Sequence, residues 1–312
     1  MPRHLYIPKA VVESISDHIR ASIVKSVAGF LSASEDEDTM TGHLGACLRT
    51  GPHKVQVVED EINGTWKWSI DYRKFRGRGP GATESHLGAD GIFELTVAWG
   101  PRTETKSLLF QSKIDWSLAP DLVKQAILLS TWREAAVFFN YTAKVFEVFS
   151  IDSALSSQGK RSAAGDALRL EDALTEYFLP CKIGHTDIAY DARARRLRWR
   201  DIHGVLVATQ FSIPDRIRIE VQSPTYKQKV TFDKLLRLDE IHSHRMEVEP
   251  EKVLMPLLTN REESVKNMKR ILSMTYHPDR YAVYEQLFKD VATRRMQEIN
   301  AAYDEVMKRN SN

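Results

Sequence analysis

Only two cysteines, Cys47 and Cys181, occur in the 312 residues, far apart and in no CxxC or Cys/His arrangement. That excludes a disulfide framework, gives no zinc signature and suits a reducing compartment. Net charge is equally scarce: 44 Lys and Arg against 42 Asp and Glu leave a formal +2. No global field draws such a chain to nucleic acid, so any affinity of that kind must come from local basic patches. Long apolar runs are missing as well. None reaches bilayer-spanning length, and no signal-peptide core precedes the first charged segment, so the expected location is cytoplasmic, with no membrane partner. What is present is 42% hydrophobic residues in a chain longer than one typical domain, enough for well-formed cores in more than one unit.

One pair of segments carries the chemistry. Gly88-Ala89-Asp90-Gly91-Ile92-Phe93-Glu94-Leu95 and Leu108-Leu109-Phe110-Gln111-Ser112-Lys113-Ile114 are apolar, β-prone runs holding polar groups where a buried strand should hold none. Residues two apart on a strand share a face, so Gln111 and Lys113 project together while Phe110 and Ser112 point the other way. If the two strands are antiparallel neighbours, Asp90 reaches the same spot. A carboxylate, a second oxygen ligand and an ammonium converging on one point suit metal-assisted phosphodiester hydrolysis, since Mg²⁺ takes one or two carboxylates and completes its shell with water and phosphate. The plainer alternative is an edge strand whose Asp, Gln and Lys face solvent.

The pattern Gly88-x-Asp90-Gly91 followed by Gln111-x-Lys113 resembles the PD-(D/E)xK nuclease superfamily, most closely its Mrr-type restriction endonuclease branch. That resemblance implies an α/β fold with a restriction-endonuclease-like mixed sheet flanked by helices. It also implies a metal site at Asp90 and Gln111 for Mg²⁺ (or Mn²⁺), and a catalytic Lys113. Gln111 stands where Glu is more usual, a departure that the Mrr-type branch tolerates. Such nucleases add a carboxylate from a helix ahead of the sheet. Of the acids in Ser34-Glu35-Asp36-Glu37-Asp38, Glu37 is the first choice, by its phase with Leu44, and Asp38 the next. Acids there also serve as ordinary helix N-terminal residues. Glu84, before the Gly88 turn, is a further candidate for the metal, and Glu94 could share the face of Asp90. Gln125, near the start of a following helix, resembles a polar residue lining related sites, with a solvated helix face as the alternative.

Between these segments runs Arg73-Lys74-Phe75-Arg76-Gly77-Arg78-Gly79-Pro80-Gly81. Its glycines let backbone N–H groups approach phosphate, and Lys74, Arg76 and Arg78 are the expected DNA contacts. It lacks the Lys-[Ser/Thr] ending of a Walker A loop.

Residues 253–312 carry the second signal. Lys269-Arg270-Ile271-Leu272-Ser273-Met274-Thr275-Tyr276-His277-Pro278-Asp279-Arg280 and Met296 through Val306 fall at helical spacing and can close into an antiparallel hairpin that Pro278 interrupts. This stretch resembles a J-domain, the module that stimulates DnaK-type chaperones. The resemblance implies chaperone contact through His277, Pro278 and Asp279, with Lys266, Lys269 and Arg270 as a positive face. A helical arm without that partner is the alternative, as is docking of another defence-system protein.

The remaining stretches are less specific. Leu122 to Tyr141 reads as a helix over the sheet and Lys144 to Ile151 as another core strand; Ser153 to Gly165 reads as a flexible connection. Residues 166–233 read as a small β-rich accessory subdomain, a helix followed by strands at Asp187 to Tyr190, Leu197 to Trp199, Leu206 to Gln210 and Ile217 to Val221. Arg193, Arg195, Arg196, Arg198 and Arg200 form a basic stripe there that could follow a DNA backbone or simply face solvent. His185 and the pair His242 and His244 have no partners at ligand spacing and read as packing and linker residues. Residues 234–252 form a charged linker, leaving residues 1–152 as the nuclease-like domain. The expectation for the whole is a Mg²⁺-dependent endonuclease acting on DNA in restriction or anti-phage defence, with a homodimer and a monomer both open. A catalytically inactive nuclease-like co-chaperone or nucleic-acid-binding adaptor is the competing expectation, kept open by Gln111.

Overall fold

The computed structural model describes residues 5, 7–58, 63–75, 88–100, 102–186, 188–200, 206–208, 213–224, 266, 269–270, 273 and 286–310. The chain opens with helix α1 (Lys9–Ala28), which buries Val11, Ile15, Ile19 and Ile23, four residues apart along one face. After the short α2 (Phe30–Ala33) comes α3 (Glu37–Leu48). Asp36 starts α3 because its carboxylate accepts a 2.6 Å hydrogen bond from the Thr39 N–H, satisfying one of the free donors of the first turn. Met40, Leu44 and Leu48 form its buried face.

The centre is an eight-stranded mixed sheet in the order β1-β2-β11-β3-β4-β5-β6-β7. Its strands are β1 (Thr50–Val57), β2 (Gly64–Lys74), β3 (Gly91–Trp99), β4 (Arg102–Ile114), β5 (Ala136–Tyr141), β6 (Phe146–Ser150), β7 (Leu168–Arg169) and β11 (Asp215–Gln222). β3 and β4 are antiparallel, Gly91 opposite Phe110, while β5 runs parallel to β4 after a crossover through α4 (Pro120–Leu129). Parallel pairing demands such a crossover, which α4 supplies. One face of the sheet, with Trp66, Trp68, Phe93, Leu95, Phe110, Phe139, Ile217 and Ile219, packs under α1 and α3. The other, with Ile92, Leu109, Phe138 and Phe149, packs under α4 and the short α5 (Ile151–Ser156). The protein is therefore α/β, with helices on both faces of the sheet.

Three expectations need correction. Leu122 to Tyr141 is not one helix: α4 ends at Leu129, a 3-10 turn follows, and Ala136–Tyr141 is a strand buried on both faces. The Val-Phe-Phe-Asn-Tyr run is β-branched and aromatic, and the period-3.6 reading mistook a doubly buried strand for an apolar helix face. Ser153 to Gly165 is not a flexible connection but holds α5 and a second 3-10 turn, with Ala154 and Leu155 buried and Lys160 bridged to Leu118. Residues 166–233 are not a separate unit. Among the described residues, β8 (Ile188–Asp191), β9 (Arg196–Arg200) and β10 (Leu206–Ala208) form the small sheet. The last strand expected there, β11, sits inside the main sheet between β2 and β3, antiparallel to one and parallel to the other. Helix α6 (Leu170–Asp172), with the π-helical turn Ala173–Phe178, packs against α1, tied by Arg20 to Asp172 at 2.7 Å and to Glu176 at 2.8 Å.

Toward the C-terminus, α7 (Gln286–Asn310) buries Ile299, Ala302 and Val306 in the same apolar cluster as α4, beside the turn Ser130–Ala135. The Lys269 ammonium lies 4.0 Å from the centre of the Tyr303 ring on α7. His277, Pro278 and Asp279 lie outside the described residues. Among the described residues no helix is long and apolar enough to cross a membrane.

Candidate active site

The turn into β3 is shaped by two glycines. Gly88 has φ +73°, and a Cβ there would stand 2.9 Å from the Gln125 carbonyl oxygen. A Cβ at Gly91 would stand 2.2 Å from the Phe110 ring. Side chains are thus excluded at positions 88 and 91, and between them the Asp90 backbone is drawn against β4 by a 2.9 Å bond from its N–H to the Phe110 carbonyl. The Asp90 Oδ2 atom accepts three hydrogen bonds: from the Ser112 N–H at 2.8 Å, the Ser112 hydroxyl at 2.6 Å and the Gln111 amide nitrogen at 2.8 Å. Burial outweighs these donors and the nearby Lys113 ammonium, and pushes the Asp90 carboxyl up to about 6.

A second carboxylate lies next to it. Asp215, the first residue of β11, pairs with Gly91 and donates its N–H to the Asp90 carbonyl at 3.2 Å. Its side chain is 1% exposed and accepts a 2.6 Å bond from the Tyr72 hydroxyl. Burial pushes Asp215 up to about 6 as well; Tyr72 and Lys74 oppose the shift, while Asp38 and Asp90 add to it. The Tyr72 and Tyr141 hydroxyls are held far above their ordinary range, mainly by burial. Thr41 of α3 bonds to the Tyr141 hydroxyl at 3.2 Å and the Ser112 hydroxyl at 3.4 Å, tying the helix to the strand that carries the motif.

The structure brings Asp90, Gln111 and Lys113 to one end of the sheet. Glu37 and Lys113 line one open cleft together with Asp115 and Asp121. Asp38 makes an ion pair with Lys74, so Lys74 is engaged at the site rather than projecting from it. Glu94 does not join Asp90: it is buried farther along β3, accepts from the Tyr190 N–H at 2.9 Å and pairs with Arg216. Gln125 meets the site through its backbone, against Gly88, and its side-chain oxygen is buried with no hydrogen-bond partner among the described residues. His185 is a packing residue, bridged to Ser107 and 5.6 Å from the Trp199 ring. Glu84, Arg76, Arg78, His242 and His244 lie outside the described residues.

Asp215 and Tyr72 were not anticipated. The available signal was Pro214-Asp215 opening the alternating run Arg-Ile-Arg-Ile-Glu-Val, an acid at a strand start, as at Asp90. Among the described residues no group of three or more His, Cys, Asp and Glu side chains is gathered to hold a metal ion. A divalent cation still fits the donor set. Two adjacent carboxyls, each with its affinity for a proton raised by burial, supply oxygen donors at one strand end, and Mg²⁺ needs no more than two carboxylates beside its waters. Comparison with family models, with curated proteins and with solved structures finds no match in any of the three.

Proposed function

We propose that the chain is a metal-dependent DNA endonuclease of the PD-(D/E)xK kind, with a J-domain-like C-terminal arm that recruits a chaperone or other partner. The observation that carries this reading is the meeting of Asp90, Gln111 and Lys113 at one strand end, with Asp215 on the adjoining strand. Chain order adds support: β3, β4, α4 and β5 follow the strand, strand, helix, strand succession of that superfamily. A role in restriction or anti-phage defence rests on analogy with the Mrr-type branch.

Asp90 and Asp215 would hold Mg²⁺ or Mn²⁺, with the Gln111 amide oxygen and Glu37 as further oxygen donors. When bound, the ion supplies an acidified water and positive charge against the scissile phosphate. Ser112 fixes the orientation of Asp90 through two hydrogen bonds, and Tyr72 does the same for Asp215. Lys113, close enough to draw down the proton affinity of Asp90, holds a water or a phosphate oxygen at the strand end. Gln111 turns its amide nitrogen to Asp90, and its amide oxygen would face a bound ion only with the amide turned the other way round.

A second reading follows from the same amide. With its nitrogen seated on Asp90, Gln111 suits a site that binds nucleic acid or a client protein without cutting. Cleavage of linear and plasmid DNA with Mg²⁺, Mn²⁺ or EDTA, beside Asp90→Ala and Lys113→Ala, decides between them. Metal-dependent cutting lost in both variants supports the nuclease. No cutting with either metal, and no stabilisation by either, rejects it.

A further inference from the structure

The small sheet β8-β9-β10 has a tip that the proposed chemistry does not use. Its turn runs from Asp191 to Arg196 and carries Arg193, Arg195 and Arg196, all exposed. The turn is built to a fixed shape. The Asp191 carboxylate accepts from the N–H groups of Arg193 at 2.9 Å and Ala194 at 3.0 Å and also pairs with Arg198, while Arg195 takes the left-handed backbone at φ 52°. Of the expected five-arginine stripe, Arg198 is paired with Asp191 and Arg200 stands at the far end of β9, so the tip itself carries three.

The position of the tip follows from its anchors. Ser107, in the middle of β4, donates its hydroxyl to the Ile188 carbonyl at 2.8 Å, so β8 starts over the centre of the main sheet. Two residues on, Tyr190 is 5.3 Å from the Phe75 ring, and its hydroxyl lies 3.4 Å from the Ile213 carbonyl. Phe75 follows Lys74 at the end of β2, and Ile213 comes two residues before Asp215. β8 therefore travels from mid-sheet toward the end that holds Asp90 and Asp215, and the turn after Tyr190 continues in that direction. Leu197 and Ile188, both fully buried, fix the hairpin to the sheet.

We propose that the β8–β9 turn is a phosphate-contacting arm for duplex DNA, with Arg193, Arg195 and Arg196 gripping the backbone beside the Asp90 end of the sheet. This deepens the nuclease reading by placing a substrate contact, and it rests on that reading only for the choice of DNA. Charge complementarity argues for it: a chain of net charge +2 has no field to attract a polyanion, and a rigid turn with three guanidinium groups supplies a local one. A duplex suits a short rigid tip, because its phosphates are regularly spaced and backbone contacts fix register without reading sequence.

The test is binding of the full chain to a fluorescent duplex in EDTA over a range of salt, for wild type and for the triple variant R193Q/R195N/R196Q. Asn is chosen at 195 because it tolerates the left-handed backbone. Cleavage is measured separately with Mg²⁺. The triple variant should keep the wild-type Tm, bind roughly tenfold more weakly near 0.1 M salt, and show a salt slope smaller by about 2 to 3. Equal affinity and slope in the two proteins overturn the inference, as does wild-type binding to single-stranded RNA but not to duplex DNA. If duplex binding depends on the turn while neither metal yields cutting, the nuclease reading falls and the arm stands. If metal-dependent cutting is seen and the turn is neutral in binding, the reverse holds.

Discussion

β3 and β11 are neighbouring parallel strands that carry two polar pairs, and the fold treats those pairs in opposite ways. Inside the sheet, the Glu94 carboxylate on β3 meets Arg216 from β11, and its other oxygen is filled by the Tyr190 N–H. At the strand ends, Asp90 and Asp215 bring two carboxyls together, each with hydrogen bonds and a nearby lysine, Lys113 and Lys74, and burial still lifts both to about 6. A buried acid is normally paired or neutralised. Glu94 obeys that rule and joins the hairpin to the sheet. Asp90 and Asp215 meet without an arginine of that kind between them among the described residues, which is the contrast that the proposed metal site rests on.

Experiments can break this contrast. The largest effect is expected at the strand ends: Asp90→Ala and Lys113→Ala should each lower metal-dependent cleavage by about 100-fold or more while leaving the fold intact by circular dichroism. Survival of activity in either variant would move the centre elsewhere. Next is Glu94→Ala, which strands Arg216 in the interior. Its cost should be about 3 to 5 kcal/mol in urea unfolding, against a loss of less than about 1 kcal/mol for the exposed pair partner Glu13→Ala. Near-equal costs would show that Glu94 is no clamp.

A smaller effect, of opposite sign, separates the two pairs by pH. The folded-state affinity of Asp215 for its proton is raised, so the native chain holds a proton that the unfolded chain releases between about pH 4 and 6. Its contribution to stability is present below the unfolded value and is lost as pH rises through about 6. Asp215→Asn, which keeps an oxygen for the Tyr72 hydroxyl, should therefore gain about 1 to 3 kcal/mol over wild type at pH 8 and nothing at pH 4. A gain at both pH values, or at neither, would contradict the assigned charge state. The smallest effect is the direct one: millimolar Mn²⁺ or Mg²⁺ should raise Tm by a few degrees at pH 8 and less at pH 5, where protons compete for the same carboxylates. The shift should disappear in Asp90→Asn.

The parts of this arrangement that were legible in sequence are those in which one short segment holds the information. Polar groups inside two β-prone runs marked Asp90 and Gln111, and the antiparallel pairing of those runs brings the two together, although Ser112, expected to point away, also donates its hydroxyl to Asp90. Hairpin strands near 188, 197 and 206 were visible for the same reason. What escaped depends on distant partners. Nothing within Asp215–Gln222 says that it pairs with β2 and β3 rather than with the hairpin preceding it, because its buried odd residues and charged even residues would fit either. Asp215 and Tyr72 escaped with it. Ala136–Tyr141 failed differently: a strand covered on both faces loses its alternation, and apolar continuity is shared by buried helices and buried strands alike.

The insertion of β11 also sets an order of events during synthesis. β2 and β3 are both made before residue 100, yet the strand that joins them arrives more than a hundred residues later. Until then each exposes a row of unpaired backbone groups along its edge, and Asp90 lacks its neighbour Asp215. A chain released early, at residue 152 for instance, would hold every residue of the recognisable motif and still be an open, aggregation-prone sheet with half of its carboxylate pair. The ribosome thus delivers the Asp90 end of the sheet in an incomplete form, and it is completed only once residues 215–222 have been made.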